Sequence, residues 1–345
     1  MERFALPVPP IRTEEASANP FAWALRAVAT FHHRNLPAPV ILDALTGGPF
    51  TFVASAGACT HWWIGAGKAR HPRDLGTFLG WELRSLACDG TAVGYEEELK
   101  PFVACELTYG RPVLAYAGWP GRARHHWGII TALGEGHRPI GVAPWNTPLA
   151  PEETGVGAGV ESQMAGCAYC VEMEGWPHKI VIAKPRHLTP VPVAEAYRHA
   201  VRHAVQVWDD PVASETANRP TEGVWHSGAA AFALLQQRWE SPGVFCPHCN
   251  EQTCFAAFVE SRAQNLANAA AFLREASQVC SEPRWEDIAT GYHHLAADWG
   301  AIDIPSAAAN RHALSDRVRA WADAEEDLAH QLGLSLQPSE ALVQG

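Results

Sequence analysis

The chain has 345 residues, 47% of them hydrophobic and 18% charged, which is typical of a globular protein with one large core or two moderate ones. Its 37 acidic and 26 basic side chains give a formal charge of −11. This balance argues against a nucleic-acid partner, which would need a basic surface. No apolar run approaches the roughly 20 residues of a membrane span, so we expect no membrane partner.

The cysteines and the first residues bear on the cellular compartment. The first 15 residues lack a basic-then-apolar signal pattern. Nine cysteines is an odd number, and without an export signal it predicts reduced thiols rather than a disulfide framework. We therefore expect a cytoplasmic protein.

The first half of the chain combines helices and strands. Asn19 and Pro20 form a helix start, with Asn as the N-cap and Pro in the first turn, and this helix should reach about His32. Apolar periodicity predicts further helices at 40–45, 72–88 and 97–109. Short apolar runs bounded by Gly and Pro predict strands at 50–54, 61–64, 112–117, 126–133, 140–144, 167–174 and 179–183.

The second half reads as helical throughout. Helices are predicted at 193–208, 222–239, 251–278, 283–299 and 311–332, and no strand is predicted after Pro192. The Pro-rich run 185–192 is the predicted linker. We therefore expect an α+β fold made of an N-terminal domain with a mainly antiparallel sheet (1–188) and an all-α C-terminal domain (189–345).

Six segments carry a resemblance to a known family: 19–25, 45–50, 110–114, 126–130, 223–239 and 262–273. Together they resemble the papain-like fold of bacteriocin-processing peptidases. They resemble still more the butirosin-biosynthesis acyltransferase family, which joins such a domain to a helical C-terminal half. The resemblance implies a papain-like N-terminal domain in this chain.

The resemblance also implies a set of catalytic positions. Papain-type chemistry uses a Cys thiolate at a helix N-terminus, a His as base, and an Asp or Asn that orients the His. In this chain the family's His corresponds to His126, the first residue of a predicted strand. The family's Cys falls on Pro20, which cannot be a nucleophile, and its Asp falls on Ala143, with Asn146 as a substitute.

Two classes of function follow from these positions. The first is a pseudoenzyme, a non-catalytic or altered relative that binds a peptide or an acyl-carrier-linked small molecule in bacterial natural-product biosynthesis. The second is an active amide-forming acyltransferase or cysteine-dependent hydrolase with a relocated nucleophile, for which Cys59 is a candidate. A homo-oligomer is left open.

The cysteine pairs allow two further interpretations. Cys167 and Cys170 could join Cys246 and Cys249 in a four-thiolate site, which would make this a binding protein stabilised by a structural zinc ion. Alternatively, the run 245–249 before a long helix resembles the active-site turn of dithiol oxidases. The structural alternative is separate buried thiols.

A second metal pattern lies on one predicted helix. Glu195, His199 and His203 are spaced four apart on one face, which could hold a metal, but this face lies opposite the apolar one, which favours a solvated surface instead.

Two packing expectations can be compared directly with a structure. The first is that Leu25, Val113, Ile129 and Ile130 are buried together where the first helix packs on the sheet. The second is that the N-terminal end of the Pro20 helix faces His126 across a cleft, with Pro20 where a thiol would sit, because the family's chemistry requires these two elements to converge.

Overall fold

The fold is known from a computed structural model of the chain. The structure describes residues 5–11, 20–45, 47–55, 73–88, 93–120, 126–143, 170–186, 191–209, 225–240, 251–303 and 311–336. The chain divides into two compact units, one formed by Met1–Leu42 with His71–Val191 and the other by Asp43–Arg70 with Pro192–Gly345.

The strands are β1 (Val53–Ser55), β2 (Trp81–Ala87), β3 (Val113–Tyr116), β4 (Trp127–Leu133), β5 (Pro139–Val142), β6 (Cys170–Glu172), β7 (Lys179–Pro185) and β8 (Trp225–Ser227). The helices are α1 (Pro20–Phe31), α2 (Pro39–Leu45), α3 (Arg73–Leu79), α4 (Glu96–Thr108), α5 (Val193–Asp209), α6 (Gly228–Glu240), α7 (Glu251–Cys280), α8 (Arg284–Gly300) and α9 (Arg311–Ser335).

A six-stranded antiparallel sheet forms the framework of the first unit, in the order β2-β7-β3-β4-β5-β6. Helix α4 covers one face, where Leu99 and Val103 pack in one core cluster with Val113 and Ile130. Helix α1 packs on β3 and β4. Helices thus cover both faces of the sheet. Because neighbouring strand residues project to opposite faces, both need apolar side chains, and this explains the nearly continuous hydrophobic strands.

The second unit is helical around a two-stranded sheet. Strand β1 pairs antiparallel with β8, from Val53 opposite Ser227 to Ser55 opposite Trp225. A 3-10 turn at Gly48–Phe50 precedes β1, and the ring of Phe50 contacts those of Phe272 in α7 and Tyr292 in α8. A short segment from the first half of the chain is thus part of the helical unit's core.

A buried ion pair lies within this helical core. Arg262 in α7 and Glu325 in α9 are 2% and 1% exposed and are paired with each other. The Nη1 atom of Arg262 donates to the carbonyl oxygen of Thr51 at 3.2 Å, and its guanidinium lies over the ring of Phe52. Burial lowers the pKa of Arg262 to about 10, which still leaves it charged at neutral pH. The pair therefore links α7 and α9 to the segment that leads into β1.

The predicted α+β class and the antiparallel sheet are confirmed. The predicted strands of the sheet appear within a few residues as β3 to β7, and the predicted helices of the second half appear as α5 to α9. The strand predicted at 61–64 lies outside the described residues. The division between the units lies at 191/192, and the second unit also takes residues 43–70.

Two elements differ from the sequence prediction. The single helix predicted at 72–88 is wrong, because Gly80 adopts φ 69° and ends α3, after which β2 forms the edge of the sheet beside β7. The all-α prediction for the second half is wrong at β8, where three residues predicted to open a helix instead pair with β1. That pairing has no local signature, since its partner strand is far away in the sequence.

Candidate functional site

The last residue of β3 and the first residues of β4 and β7 lie side by side at one end of these neighbouring central strands. Tyr116 is directly opposite Trp127 on one side and Lys179 on the other. Side chains of directly opposite residues in antiparallel strands project to the same face, so these three share a face. The rings of Tyr116 and Trp127 are 5.5 Å apart between centroids. We call Lys179, Tyr116 and Trp127 the edge row.

Helix α1 begins beside the edge row. The ring of Phe21, in the first turn, meets that of Trp127 edge-on, with centroids 4.9 Å apart. Past the other end of α1, the ring of His32 lies 5.9 Å from that of Trp81 at the far end of β2. The first turn of α1 therefore packs on the first residue of β4, while the approach of Pro20 to His126 across a cleft stays a prediction. Pro20 is the first residue of α1, and its predicted N-cap, Asn19, lies outside the described residues.

His126 immediately precedes β4 and is half-buried, with its Nδ1 atom shielded from solvent. Its backbone carbonyl accepts a hydrogen bond from the amide of Ala117 at 3.1 Å. Ala117 and Gly118 both have positive φ, at 68° and 83°, so the chain leaves β3 through two consecutive left-handed residues. For Ala117 this conformation is strained, and such strain is found more often at functional sites than elsewhere.

The predicted third catalytic position is not on the α1 face. Ala143 follows β5 and packs against the core cluster under α4, on the opposite side of the sheet from Trp127. An acid at position 143 would therefore project away from the face that carries α1. The substitute, Asn146, lies outside the described residues, so its role stays a prediction.

None of the three residues of the edge row was predicted as a site residue from the sequence, and Lys179 is the most unusual of them. Its side chain is 2% exposed, although Lys is rarely buried to this extent. Desolvation lowers its pKa to about 8. Strongly shifted groups are enriched at functional sites. The signal was present in the sequence, because a Lys opens the otherwise apolar run 179–183, which is typical of a strand buried on both faces.

Two of the cysteines that the structure identifies as free thiols have raised pKa values. Burial, together with a 3.5 Å hydrogen bond from Sγ to the Glu98 carboxylate, raises the pKa of Cys88 to about 11. Burial also raises the pKa of Cys280. A raised pKa lowers the thiolate fraction, which makes these two thiols poor nucleophiles. Cys105 is exposed on α4, and Cys59 lies outside the described residues.

Cys170 departs from the expectation of reduced thiols, because it is disulfide-bonded. In that state its sulfur is not available as a thiolate ligand for zinc. Cys167, Cys246 and Cys249 lie outside the described residues, so the four-cysteine site and the dithiol turn stay predictions. Within the described ranges, no group of three or more His, Cys, Asp and Glu side chains could hold a metal ion.

The metal pattern predicted on one helix face, Glu195, His199 and His203, lies on α5. His199 and His203 are half-buried on α5, with rings nearly parallel and 6.4 Å apart between centroids. Glu195, one turn earlier, is exposed, and the three do not make up a metal-binding group.

The protein is thus a mixed helix-and-strand protein. In its first unit, a histidine, a buried lysine and the start of a helix lie near one end of the central strands. Comparison with protein-family models and with curated proteins finds no match to the chain. None of the helices in the described ranges is long and apolar enough to cross a membrane.

Proposed function

We propose that the first unit is a papain-like scaffold without a cysteine nucleophile, and that it binds a peptide or an acyl-carrier-linked small molecule at the edge row. The observation that carries this proposal is the contact of Phe21 with Trp127. It packs the first turn of α1 on the first residue of β4, which follows His126 in the chain, and this meeting of helix start and strand start supports a papain-like arrangement, in which Pro20 occupies the start of the helix.

The edge row has the composition of a ligand site. Phe21, Tyr116 and Trp127 form a buried aromatic cluster, and Lys179 adds one charged group to it. Ligand sites commonly combine aromatic walls with a few polar groups in this way. The resemblance of the segments around Pro20 and His126 to the butirosin-biosynthesis acyltransferase family supports an acyl-carrier-linked ligand in natural-product biosynthesis.

The alternative function is an active acyltransferase or hydrolase whose nucleophile is a cysteine elsewhere in the chain, such as Cys59. The raised pKa values of Cys88 and Cys280 favour the binding function over this alternative, as far as these thiols are concerned. A zinc-stabilised binding protein would need Cys170 in its reduced state.

Thiol labelling distinguishes the two functions. The native protein is treated with iodoacetamide at pH 7, and each cysteine is mapped over time by mass spectrometry. The binding function predicts that no thiol reacts faster than the exposed Cys105 and that His126→Ala changes no rate. A single faster thiol that slows in the His126→Ala variant would contradict it and support the enzyme.

A further inference from the structure

Strand β2 lies at one edge of the six-stranded sheet, so β7 pairs with only one of its two sides. The amide of Cys88 donates to the carbonyl oxygen of His178, which leads into β7. The even-numbered residues of β2 therefore turn their backbone groups towards β7. In an antiparallel pair the backbone groups of alternate residues point the other way. Those of Ser85 and Ala87 thus point outwards, away from the sheet.

Helix α3 lies against the first part of this outward side. A Cβ atom added at Gly76 in α3 would be 2.5 Å from the carbonyl oxygen of Trp81 and 3.2 Å from the amide nitrogen of Leu83. Further along β2, the outward amides and carbonyls of Ser85 and Ala87 have no hydrogen-bond partner among the residues that the structure describes. We call the backbone groups of these two residues the free edge of β2.

The charged side chains of β2 do not protect this free edge. Edge strands are usually kept from pairing by charged side chains, by proline or by a short length. Here the carboxylate of Glu82 is paired with Arg186 at 2.6 Å, and the guanidinium of Arg84 lies over the ring of Phe102 in α4. Both charges are thus turned back onto their own unit. The opposite edge strand, β6, has only three residues, so β2 is the edge that is long enough to pair.

The sequence of β2 suits antiparallel pairing with a second copy of itself. With Leu86 on a two-fold axis, Ser85 of each copy is opposite Ala87 of the other. Each such pair exchanges two backbone hydrogen bonds, which satisfies the free edge. Leu86, which is partly exposed in one copy, faces its own counterpart across the axis and is buried by it.

Charge complementarity favours this register over the neighbouring ones. Arg84 of one copy is directly opposite Cys88 of the other, whose Sγ atom lies 3.5 Å from the carboxylate of Glu98. Arg84 can therefore reach Glu98 of the other copy, and the two-fold axis forms this contact twice. An axis at Arg84 would instead place like charges opposite each other, and an axis at Ser85 would need the part of β2 that α3 covers.

We infer that the protein forms a symmetric dimer in which the β2 strands of two copies pair antiparallel through their free edges. The two six-stranded sheets then become one continuous sheet. This inference does not depend on the proposed function, because it uses no residue of the edge row.

Sedimentation velocity of the full chain tests the dimer and its register. The protein is measured at pH 7 from about 1 to about 300 µM, a range that covers dissociation constants typical of weak and moderate dimers. The variants are Arg84→Glu, Glu98→Arg, the double variant and Arg138→Glu. Arg138 is the matched control because it is exposed and pairs with Glu172 at the opposite edge of the sheet.

Wild type and Arg138→Glu should form a dimer whose population rises with concentration. Each single reversal at the interface should raise the dissociation constant about tenfold or more, because like charges then meet across the axis. The double variant should restore the dimer, because opposite charges meet again. Thermal unfolding verifies that each variant is folded, and the restored dimer separates a lost contact from a damaged fold.

Hydrogen exchange of single amides identifies the strand that pairs. The amides of Ser85 and Ala87 should exchange more slowly as the concentration rises, whereas those of Arg84 and Leu86, which face β7, should be protected at every concentration. Three results would contradict the inference: a chain that stays monomeric over the whole range, a dimer that Arg84→Glu does not weaken, and a dimer in which Ser85 and Ala87 exchange as fast as in the monomer.

Discussion

Ala117 occupies an unusual backbone position for a residue with a side chain. Its φ is 68°, in the left-handed region, and it is almost fully buried at the end of β3. An L-residue in this conformation is destabilised by about 1–2 kcal/mol, whereas Gly adopts it freely but loses about 0.5–1 kcal/mol through its greater freedom in the unfolded chain. Ala117→Gly should therefore raise the free energy of unfolding by about 0.5–1 kcal/mol, measured by urea denaturation.

Ala115 provides the matched control for this prediction. It is fully buried two residues earlier in β3, and its φ is not positive. Ala115→Gly should lower the free energy of unfolding, because Gly is unfavourable inside a strand. If the two substitutions destabilise the protein equally, the left-handed conformation of Ala117 is not strained.

Lys179 makes a second prediction at the residue scale, this time on pH. Burial lowers its pKa in the folded protein from 10.5 to about 8. Between these two values the unfolded chain binds more protons than the folded one. The destabilisation caused by burying the protonated lysine is therefore complete below pH 8 and is lost as the pH rises towards 10.5. Lys179→Met should therefore stabilise the ligand-free protein by up to about 3 kcal/mol at pH 7.

The gain from Lys179→Met should shrink as the pH rises from 8 to 10, which difference measurements of urea unfolding at each pH would reveal. Other groups titrate in both proteins and cancel in the difference. Lys100→Met, at a side chain that is only partly buried, is the matched control for replacing a lysine by methionine. A difference that is independent of pH would mean that Lys179 titrates normally.

At the scale of elements, the packing of α1 on the sheet supports the candidate site. Leu25 lies in the middle of this helix and is fully buried. Leu25→Ala should lower the free energy of unfolding by about 2–5 kcal/mol, through lost burial and the cavity that remains. The denaturation midpoint in urea measures the effect, and Thr30→Ala, on the exposed side of α1, is the control. An unchanged midpoint for Leu25→Ala would remove α1 from the core.

The sequence predicted most of the helices and strands, but not the face of the sheet to which each strand residue projects. Leu25, Val113, Ile129 and Ile130 are all buried, as predicted. They do not form one group, however, because Val113 and Ile130 pack under α4, whereas Ile129, one residue away from Ile130, projects to the other face. A strand that is apolar on both faces has no polar alternation to show which side chain points where.

The same limit explains what was missed at the site. The segments around Pro20 and His126 were found because they have local signatures, a Pro-led helix and a His before an apolar strand. The position of Lys179 beside Tyr116 depends on the pairing of β7 with β3, strands that are far apart in the chain. Likewise, the side of the sheet on which Ala143 lies depends on the register of β5 with β4.

At the scale of the whole molecule, the second unit combines two distant parts of the sequence. Phe52, just before β1, is 3% exposed, and its ring contacts those of Phe232 and Phe258. Phe52→Ala should lower the stability of this unit by about 3–5 kcal/mol, because the side chain fills a core built by the later helices. Hydrogen exchange of the α7 amides measures the loss.

Val193→Ala is the control for Phe52, because Val193 is exposed at the start of α5 in the same unit. It should leave exchange in α7 unchanged. If Phe52→Ala also has no effect on α7, residues 47–55 are not part of the helical core, and the division of the chain into units would need to be redrawn.

The central claim is that α1 begins beside His126 in a papain-like arrangement that lacks its thiol, and Pro20→Cys tests it most directly. A thiol at the start of α1 gains from the helix dipole and from a nearby imidazole, both of which favour the thiolate. The measurement is the rate of iodoacetamide alkylation at position 20 at pH 7, in Pro20→Cys and in Pro20→Cys/His126→Ala. We expect the new thiol to react faster than Cys105, to slow when His126 is removed, and to support no efficient turnover, since no orienting acid is restored. An alkylation rate that is no faster than that of Cys105 and does not change with His126 would contradict the papain-like arrangement.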